Sequence, residues 1–333
     1  MKTIYTILIT LTILLLNACS LMPEKTPEPE WVTGNSTKFP PTLYFTGHGS
    51  AIDLNSAKDI ARSEIAKQFE VPIHTHSQQM QNNAIEQSSR NITSYTSRTL
   101  QGIEIGGMWH DTINKRHHVL AVLSRNRAQQ QFKQEINRLD SATALQLKKL
   151  ELTTLPLTKA AIFQKAIELQ QQRDMAQSAL QIVDENTPET TPSTTALSEL
   201  QHNRDAIINK TKIATGASGE MQDDLQHQLS SAASTAGFFL SEESPDYIIT
   251  ISATLDPLIM QRGWYWLRGS LELNMKDSSG KDVGIKRWPL KVSATTIEQT
   301  RQRLLDDTNT ILSETLRNSM LEFSIKPEPV IKK

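Results

Sequence analysis

Cysteine is almost absent from this chain, and so is any excess of charge of one sign. The sequence has 333 residues and a single cysteine, which excludes an internal disulfide framework and a cysteine-rich zinc site. The 35 Lys and Arg residues almost balance the 36 Asp and Glu residues, so the chain lacks the broad basic face that binds nucleic acid. Hydrophobic residues make up 38% of the chain, which is enough to build folded cores.

The sequence also lacks the patterns of nucleotide-binding loops and of hydrolase sites. The segment 47–49 (GHG) begins like a dinucleotide fingerprint, but Ile52 stands where the third glycine belongs, and no Walker A sequence is present. His48, Ser50 and Asp53 lie too close together in the sequence for the roles of a catalytic triad. We therefore expect no enzymatic activity, no cofactor and no nucleic-acid partner.

A metal site built from histidines is the one alternative that the sequence offers to a protein without a metal. If residues 71–78 form a strand, His74 and His76 share one of its faces, and His118 on another strand could be a third ligand. The simpler interpretation is that these side chains are half-exposed polar residues of a sheet. We expect no metal, and these three histidines are the candidates if one binds.

No hydrophobic run is long enough to cross a bilayer, but the first residues have the pattern of a secretory leader. After a basic start, residues 4–16 contain no charge, and thirteen residues match the hydrophobic region of a signal peptide. The segment Leu16-Asn17-Ala18-Cys19 resembles the bacterial lipobox. The resemblance implies that a signal peptidase recognises Leu16 and Ala18 and cleaves before Cys19, whose sulfur then carries acyl chains.

Acylation of Cys19 would fix the location of the protein. Each buried CH₂ group contributes about 0.8 kcal/mol, so several acyl chains such as palmitate give near-permanent attachment to membrane lipid. Ser20 follows the cysteine, and a non-acidic residue there implies the outer membrane in lipoproteins of this type. We expect the mature chain to face the periplasm.

The pattern along the chain predicts an α+β fold with two small α+β domains. They are joined by a helical hairpin and a Thr/Pro-rich linker. The predicted segments are a signal peptide at 1–18, the lipidated cysteine and a Pro-rich tether at 19–30, an α+β domain at 31–140, the helical hairpin at 141–185, the linker at 186–199 and a second α+β domain at 200–325.

Apolar spacing predicts the elements of the first domain. Asp53 or Asn55 caps a helix that extends to Phe69. The residues of its predicted buried stripe are Ala57, Ile60, Ala61, Ile65 and Phe69. The predicted strands are 43–47, 71–78, 103–105 (which ends at a Gly106-Gly107 turn) and 119–123, the last covered on both faces.

The second domain shows clear alternation and predicts an antiparallel meander backed by helices. The strands lie at 247–255, 265–275 and 283–292, and Pro289 marks an edge or a bulge. A helix at 223–236 precedes them. Thr295 and Glu298 fit a capping box before the last helix.

The candidate partner-binding residues are Trp264, Trp266 and Arg268. If Leu267 and Leu271 face the core, these three share the opposite face of the strand. Large aromatic residues beside an arginine are typical anchors of protein interfaces, and flat aromatic rings also stack on sugars. A protein interface, a glycan site and cover by a helix of the same chain remain as interpretations.

The first domain resembles the Lpp-twenty lipoprotein family. The matching features are Trp31, the segment 45–51 (FTGHGSA), the Ala57/Ala61 helix, the segment 100–103 (LQGI) with Trp109, and the segment 118–122 (HVLAV). The resemblance covers residues 31–140 and implies an envelope lipoprotein, often tied to flagellar or surface assemblies, without a known active site. By its order of elements, the second domain resembles small α+β domains of lipoproteins that activate penicillin-binding proteins.

The predicted function is that of a non-enzymatic scaffold or partner-binding module, anchored to the outer membrane through Cys19. Its expected partner is an envelope protein. The alternative function is that of a peptidoglycan- or glycan-binding lipoprotein that uses the Trp264/Trp266 face.

Overall fold

The chain contains helices and sheets in two compact units. The computed structural model describes residues 27–34, 36–80, 102–184 and 195–325, with side chains from position 70 to position 80 left aside. The first unit comprises Met1–Gln134 and Gln177–Glu189, and the second comprises Glu135–Ala176 and Thr190–Lys333. The α+β prediction is confirmed. The predicted signal peptide and Cys19 lie outside the described residues, as do most of the tether and of the linker.

Three antiparallel strands form the sheet of the first unit. Its elements are β1 (Tyr44–Ala51), α1 (Leu54–Met80), β2 (Glu104–Asp111), β3 (Arg116–Ser124) and the first part of α2 (Arg125–Lys148). The strand order is β1-β3-β2, so β3 is central. Residues 119–123 of β3 are all buried, which confirms a strand covered on both faces.

Helix α1 packs very closely on β1 because two glycines of the strand face it. A Cβ atom at Gly47 would lie 2.2 Å from the carbonyl oxygen of Ala61, and one at Gly49 would lie 2.1 Å from that of Ala57. These distances leave no room for any side chain, so glycine at both positions sets the closeness of the two elements. The helix begins where predicted, since the carboxylate of Asp53 accepts a hydrogen bond from Ser56 N at 2.7 Å.

Two predictions about α1 are wrong. Ala57, Ala61, Ile65 and Phe69 are buried as predicted, but the side chain of Ile60 is 42% exposed because it lies beside the narrow stripe that touches the sheet. The predicted strand at 71–78 does not form, and the helix continues to Met80. Pro72 lies inside this helix, where a proline lacks the N–H that a helix interior uses, so the sequence gives only a weak helical signal there.

The predicted turn at Gly106-Gly107 is also wrong. Strand β2 continues through both glycines, with a bulge between Ile105 and Gly107. A Cβ atom at Gly106 would lie 2.9 Å from the ring of Phe39, and one at Gly107 would lie 3.0 Å from the indole of Trp31. The glycines therefore permit a close approach by the segment before β1, which the sequence alone does not reveal.

A helical hairpin is formed by two helices that are separated by a short segment before Pro156. Helix α2 ends at Lys148, a 3₁₀-helix spans Lys149–Leu152, and α3 (Pro156–Val183) begins with the proline, whose missing N–H costs nothing at that position. The helices are joined by hydrogen bonds from Arg173 Nε to Asp140 at 2.9 Å and from Gln170 to Thr143 at 2.8 Å.

The second unit contains a six-stranded mixed sheet. Its further elements are α4 (Leu197–Ile208), β4 (Lys212–Gly219), α5 (Gln222–Thr235), β5 (Phe239–Leu240), β6 (Tyr247–Leu255), β7 (Ile259–Gln261), β8 (Trp264–Asp277), β9 (Asp282–Ala294) and α6 (Ile297–Phe323). The strand order is β5-β4-β6-β8-β7, and β9 pairs with the other side of β8. Pro289 lies on β9, an edge strand, as predicted.

The predicted antiparallel meander is only part of this sheet. Strands β6, β8 and β9 are antiparallel as predicted, but β4 pairs parallel with β6, so the sheet is mixed. Strand β4 was missed because its sequence, KIATGASG, is composed mostly of small residues and shows no apolar alternation. Its identity as a strand depends on pairing with β6, a long-range contact.

Helices α5 and α6 cover one face of this sheet, which we call the inner face. Buried residues of the inner face include Ile249, Leu271 and Leu273, and Leu312 and Leu316 of α6 pack in the same core. The cap of α6 differs by one residue from the prediction, because Thr296 rather than Thr295 accepts the hydrogen bond from the N–H at position 299. No helix within the described ranges has the length and apolarity of a membrane span.

Candidate binding surface on the second sheet

The face of the second sheet opposite α5 and α6, which we call the outer face, carries the predicted binding residues. Strand β8 alternates regularly, so Trp264, Trp266 and Arg268 point to the outer face, while Leu267 and Leu271 are buried on the inner face. The structure therefore brings the three predicted residues together in one row. Their role in binding stays a prediction.

The row ends at a hairpin that extends beyond the pairing of β6 with β8. Strand β6 pairs with β8 up to Leu255 and Gly269, and β7 then pairs with the first residues of β8. Arg262 and Gly263 form the turn with φ values of 54° and 80°. Positive φ at both central residues is typical of a two-residue turn whose twist matches the two strands.

Several apolar side chains of this hairpin are exposed. Met260 is 66% exposed, Ile259 57% and Trp264 43%, whereas Trp266 is half-buried. Ile259 is directly opposite Trp266 in the ladder and thus shares the outer face with it, while Met260 is opposite Tyr265 and points to the other face. The outer face therefore has an aromatic row with an apolar end.

Positive charge surrounds the aromatic row. Lys291 Nζ lies 5.7 Å from the centre of the Trp266 ring, in a cation–π contact, and Lys291 is opposite Arg268 in the ladder. Arg268 is exposed and forms no ion pair within the described part of the chain. Farther along the face, Arg287 is neutralised by Glu272, with Nε 3.0 Å from the carboxylate. The unneutralised cations thus lie beside the tryptophans and favour an anionic or acidic ligand.

The histidines considered as metal ligands lie in two different elements of the first unit. His74 and His76 belong to helix α1 and not to a strand, so the argument from a shared strand face no longer holds. His118 lies on β3, and its Nδ1 is 3.1 Å from Nε2 of His48. The described residues include no group of three or more potential ligands that could hold a metal ion.

A second cluster, which the sequence did not indicate, consists of His48 and His118 with two indoles. The two imidazole rings are stacked with centres 5.3 Å apart, Trp31 lies 6.1 Å from His48, and Trp109 lies 5.2 Å from His118. Burial, followed by the charge of His118, lowers the pKa of His48. The sequence predicted strands at 43–47 and 119–123, but it did not show the register that pairs β1 with β3.

A small cavity of ≈ 390 Å³ lies beside this cluster, under the segment that precedes β1. Its lining includes Trp31, Phe39, His48 and Leu120. Glu30 fastens the covering segment by accepting hydrogen bonds from the N–H and the hydroxyl of Thr37, and the hydroxyl bond is the larger cause of the lowered pKa of Glu30.

Among the comparisons with known proteins, the match to a family model lies within the first unit. No curated protein matches this chain. Among solved structures, the secreted protein HP1454 of Helicobacter pylori is 13% identical with a TM-score of 0.46, and the match covers 84% of this chain and 98% of that protein. The minor lipoprotein of Acinetobacter baumannii is 16% identical with a TM-score of 0.27, covering 35% of this chain and 97% of that one.

A third solved structure, lipoprotein GNA1162 of Neisseria meningitidis, is 13% identical with a TM-score of 0.23, covering 33% of this chain and 99% of that one. The model of the LPP20 lipoprotein family matches residues 29–124, a range that contains Trp31, β1 and all of β3. The predicted resemblance is thus confirmed over this range, and the match of residues 29–124 to the LPP20 lipoprotein family supports a lipoprotein of the cell envelope.

Proposed function

We propose that this protein is a lipid-anchored scaffold of the outer membrane that binds an envelope protein and catalyses no reaction. Acyl chains on Cys19 fix its location, and the Pro-rich residues up to position 30 act as a spacer of about 3.1 Å per residue when extended. The match to the LPP20 family supports the envelope assignment. Ser20 supports the choice of the outer membrane, because a non-acidic residue after the lipidated cysteine implies that membrane in lipoproteins of this type.

The single observation that carries the binding role is the exposed aromatic and cationic row on the outer face. We propose that Trp266 and Arg268, with Lys291, contact the partner protein, and that Trp264 forms the outer end of the row. A half-buried tryptophan can bury further area without a large loss of side-chain entropy, and an unpaired arginine can form a bidentate pair with a carboxylate. The partner surface should therefore be acidic and partly apolar.

Membrane attachment makes a weak interface sufficient. A protein held at the same membrane as its partner has a raised effective concentration, so that overall binding can exceed the intrinsic affinity by about 10²–10⁴-fold without any new contact. A small sheet face with a few anchor residues is compatible with that role.

Crosslinking in intact cells tests the protein interface. A photoreactive amino acid at position 268 should capture one envelope protein, and the double variant Arg268→Glu and Lys291→Glu should weaken co-purification of that protein by at least about tenfold. Lys281→Glu is the matched control, because it reverses an exposed charge at the opposite end of the β8–β9 hairpin. Equal loss in the control variant would contradict a specific interface.

A glycan is the second candidate ligand, favoured by the exposed ring of Trp264 at one end of a face that also carries hydroxyl side chains. The residues of this polar row are Thr250, Ser252, Thr254 and Ser270. Flat aromatic faces stack on sugar rings, and Arg268 could pair with a peptide carboxylate of peptidoglycan. Co-sedimentation of the purified protein with cell-wall sacculi, lost on changing Trp264 and Trp266 to Ala, would replace the protein interface by a glycan site.

A further inference from the structure

We propose that the tip of the β7–β8 hairpin, residues 258–264, docks into the headgroup region of an anionic phospholipid bilayer. We call this segment the hairpin tip. The contact would hold the second unit at a membrane independently of the acyl chains on Cys19. It goes beyond the proposed protein interface, which is centred on Trp266 and Arg268.

The hairpin tip exposes apolar side chains on both of its faces. Ile259 and Trp264 lie on the outer face, Met260 lies on the other face, and Leu258 is 37% exposed where the chain enters β7. A flat partner on the outer face would leave Met260 in water. A fluid lipid surface surrounds an inserted tip and buries both faces at once, so the two-sided exposure favours lipid.

The charges of the hairpin fit an anionic surface. Between Asp256 and Arg268 the sequence contains two arginines against one aspartate, a local net charge of +1 within a chain of formal net charge −1. Arg262 is exposed at the turn, and Arg268 is exposed at the base. Each basic side chain near an anionic membrane strengthens binding by about fivefold.

The dimensions and the residue types agree with shallow docking rather than deep insertion. The three residues from Ile259 to the turn extend for roughly 10 Å, which is close to the depth of about 5–10 Å reached by interfacial segments. Tryptophan and tyrosine prefer this zone because one end of the ring is apolar and the other is polar. Arg262 at the turn limits the depth, since its guanidinium must stay at the level of the phosphates.

Vesicle binding by a chain without lipid modification tests the proposal. The mature chain with Cys19→Ser is titrated with vesicles of phosphatidylethanolamine and phosphatidylglycerol at 3:1, and with vesicles of phosphatidylcholine alone. We expect sedimentation with the anionic vesicles and a blue shift of tryptophan emission. Binding to phosphatidylcholine should be about tenfold weaker or more, because two arginines lose their attraction. No binding to the anionic vesicles at millimolar lipid would overturn the proposal.

Variants locate the contact. The double variant Met260→Ser and Trp264→Ser should bind the anionic vesicles at least about tenfold more weakly, and Arg262→Gln about fivefold more weakly. Leu152→Ser is the matched control, because Leu152 is 85% exposed and lies far along the chain from the hairpin. Because the changed residues are exposed, we expect these variants to have the same thermal unfolding temperature as the unchanged chain. Binding by the double variant equal to that of the unchanged chain would contradict the proposal.

Crosslinking in cells separates lipid from protein at this site. A photoreactive amino acid at position 260 should give phospholipid adducts, detected by mass spectrometry of the released peptide. A protein adduct at position 260 in place of lipid would overturn the proposal, and it would assign the hairpin tip to the partner interface. This result is independent of acylation at Cys19, so failure of the lipid contact and failure of the anchor can be told apart.

Discussion

The hydrogen-bonded pair of His48 and His118 is the residue-scale feature with the clearest chemical consequence. Nε2 of His48 and Nδ1 of His118 are 3.1 Å apart, and Trp31 and Trp109 flank the two rings. Two protonated imidazoles at this distance repel each other, whereas a neutral pair shares one proton in the hydrogen bond. The pair therefore ties the packing of Trp31 to pH.

We predict that stability falls between pH 7.5 and pH 5 and that His48 causes part of the fall. Burial and the charge of His118 lower the pKa of His48 below its ordinary value of 6.5. The unfolded chain then binds more protons in this range, so the stabilisation is present above pH 6.5 and is lost below it. The urea midpoint, followed by tryptophan fluorescence, should drop less in His48→Gln than in the unchanged protein.

The carboxylates with lowered pKa do not interfere with that measurement. Hydrogen bonds lower the pKa of Asp111 and of Asp277 from 3.8, so their stabilisation is present above that value and is lost only as the pH falls further. His202→Gln is the control, because His202 is an exposed residue of the second unit. A pH dependence unchanged in His48→Gln would refute the assignment to His48.

At the scale of elements, glycines decide how closely a helix or a segment approaches a sheet. Gly47 and Gly49 admit α1, while Gly106 and Gly107 admit Phe39 and Trp31. Glycine at such a position costs chain entropy on folding. In return it allows a close packing that any side chain would prevent. The Gly106-Gly107 pair was predicted to form a turn. A single sequence shows the conformational freedom of glycine, but it does not show which atoms surround the residue.

Gly49→Ala should destabilise the first unit. The added Cβ would lie 2.1 Å from the carbonyl oxygen of Ala57 and 2.5 Å from the amide nitrogen of Ala61, both of them backbone atoms, so α1 must move. We expect a loss of about 1–3 kcal/mol in the free energy of unfolding, measured by urea titration. Gly216→Ala is the matched control, since its Cβ would meet the Thr250 hydroxyl at an ordinary 3.7 Å. Equal losses would contradict the packing argument.

At the scale of the whole molecule, the chain combines two folded units with two proposed points of attachment to a membrane. The charges are almost balanced over 333 residues, so electrostatic attraction of the whole protein to a membrane is weak. Attachment therefore depends on local features, namely the acyl chains proposed at Cys19 and the hairpin tip. The lipid anchor is the stronger of the two, because several acyl chains each bury many CH₂ groups.

We predict that Cys19→Ala moves the protein out of the outer-membrane fraction. Without a thioether the acyl chains are lost, and the hairpin tip alone should give reversible binding that washing at high salt removes. Fractionation with and without salt, followed by immunoblotting, measures the change, and mass spectrometry of the unchanged protein should show an acylated cysteine at the N-terminus. A salt-resistant membrane fraction of Cys19→Ala would refute the anchor.

The sequence by itself determined the α+β class, the helices with regular apolar spacing and the antiparallel pairing of β6, β8 and β9. It also placed Trp264, Trp266 and Arg268 on one face. These features depend on local periodicity, which a single chain displays directly. The extension of α1 through residues 71–78 was missed because Pro72 weakened the local signal, although the helix continues to Met80.

Only the tertiary structure decided the features that depend on distant neighbours. The parallel pairing of β4, the passage of β2 through Gly106 and Gly107, and the meeting of His48 with His118 all join residues far apart in the chain. Strand register and close packing arise from such long-range contacts, and neither composition nor spacing encodes which partner a strand will have.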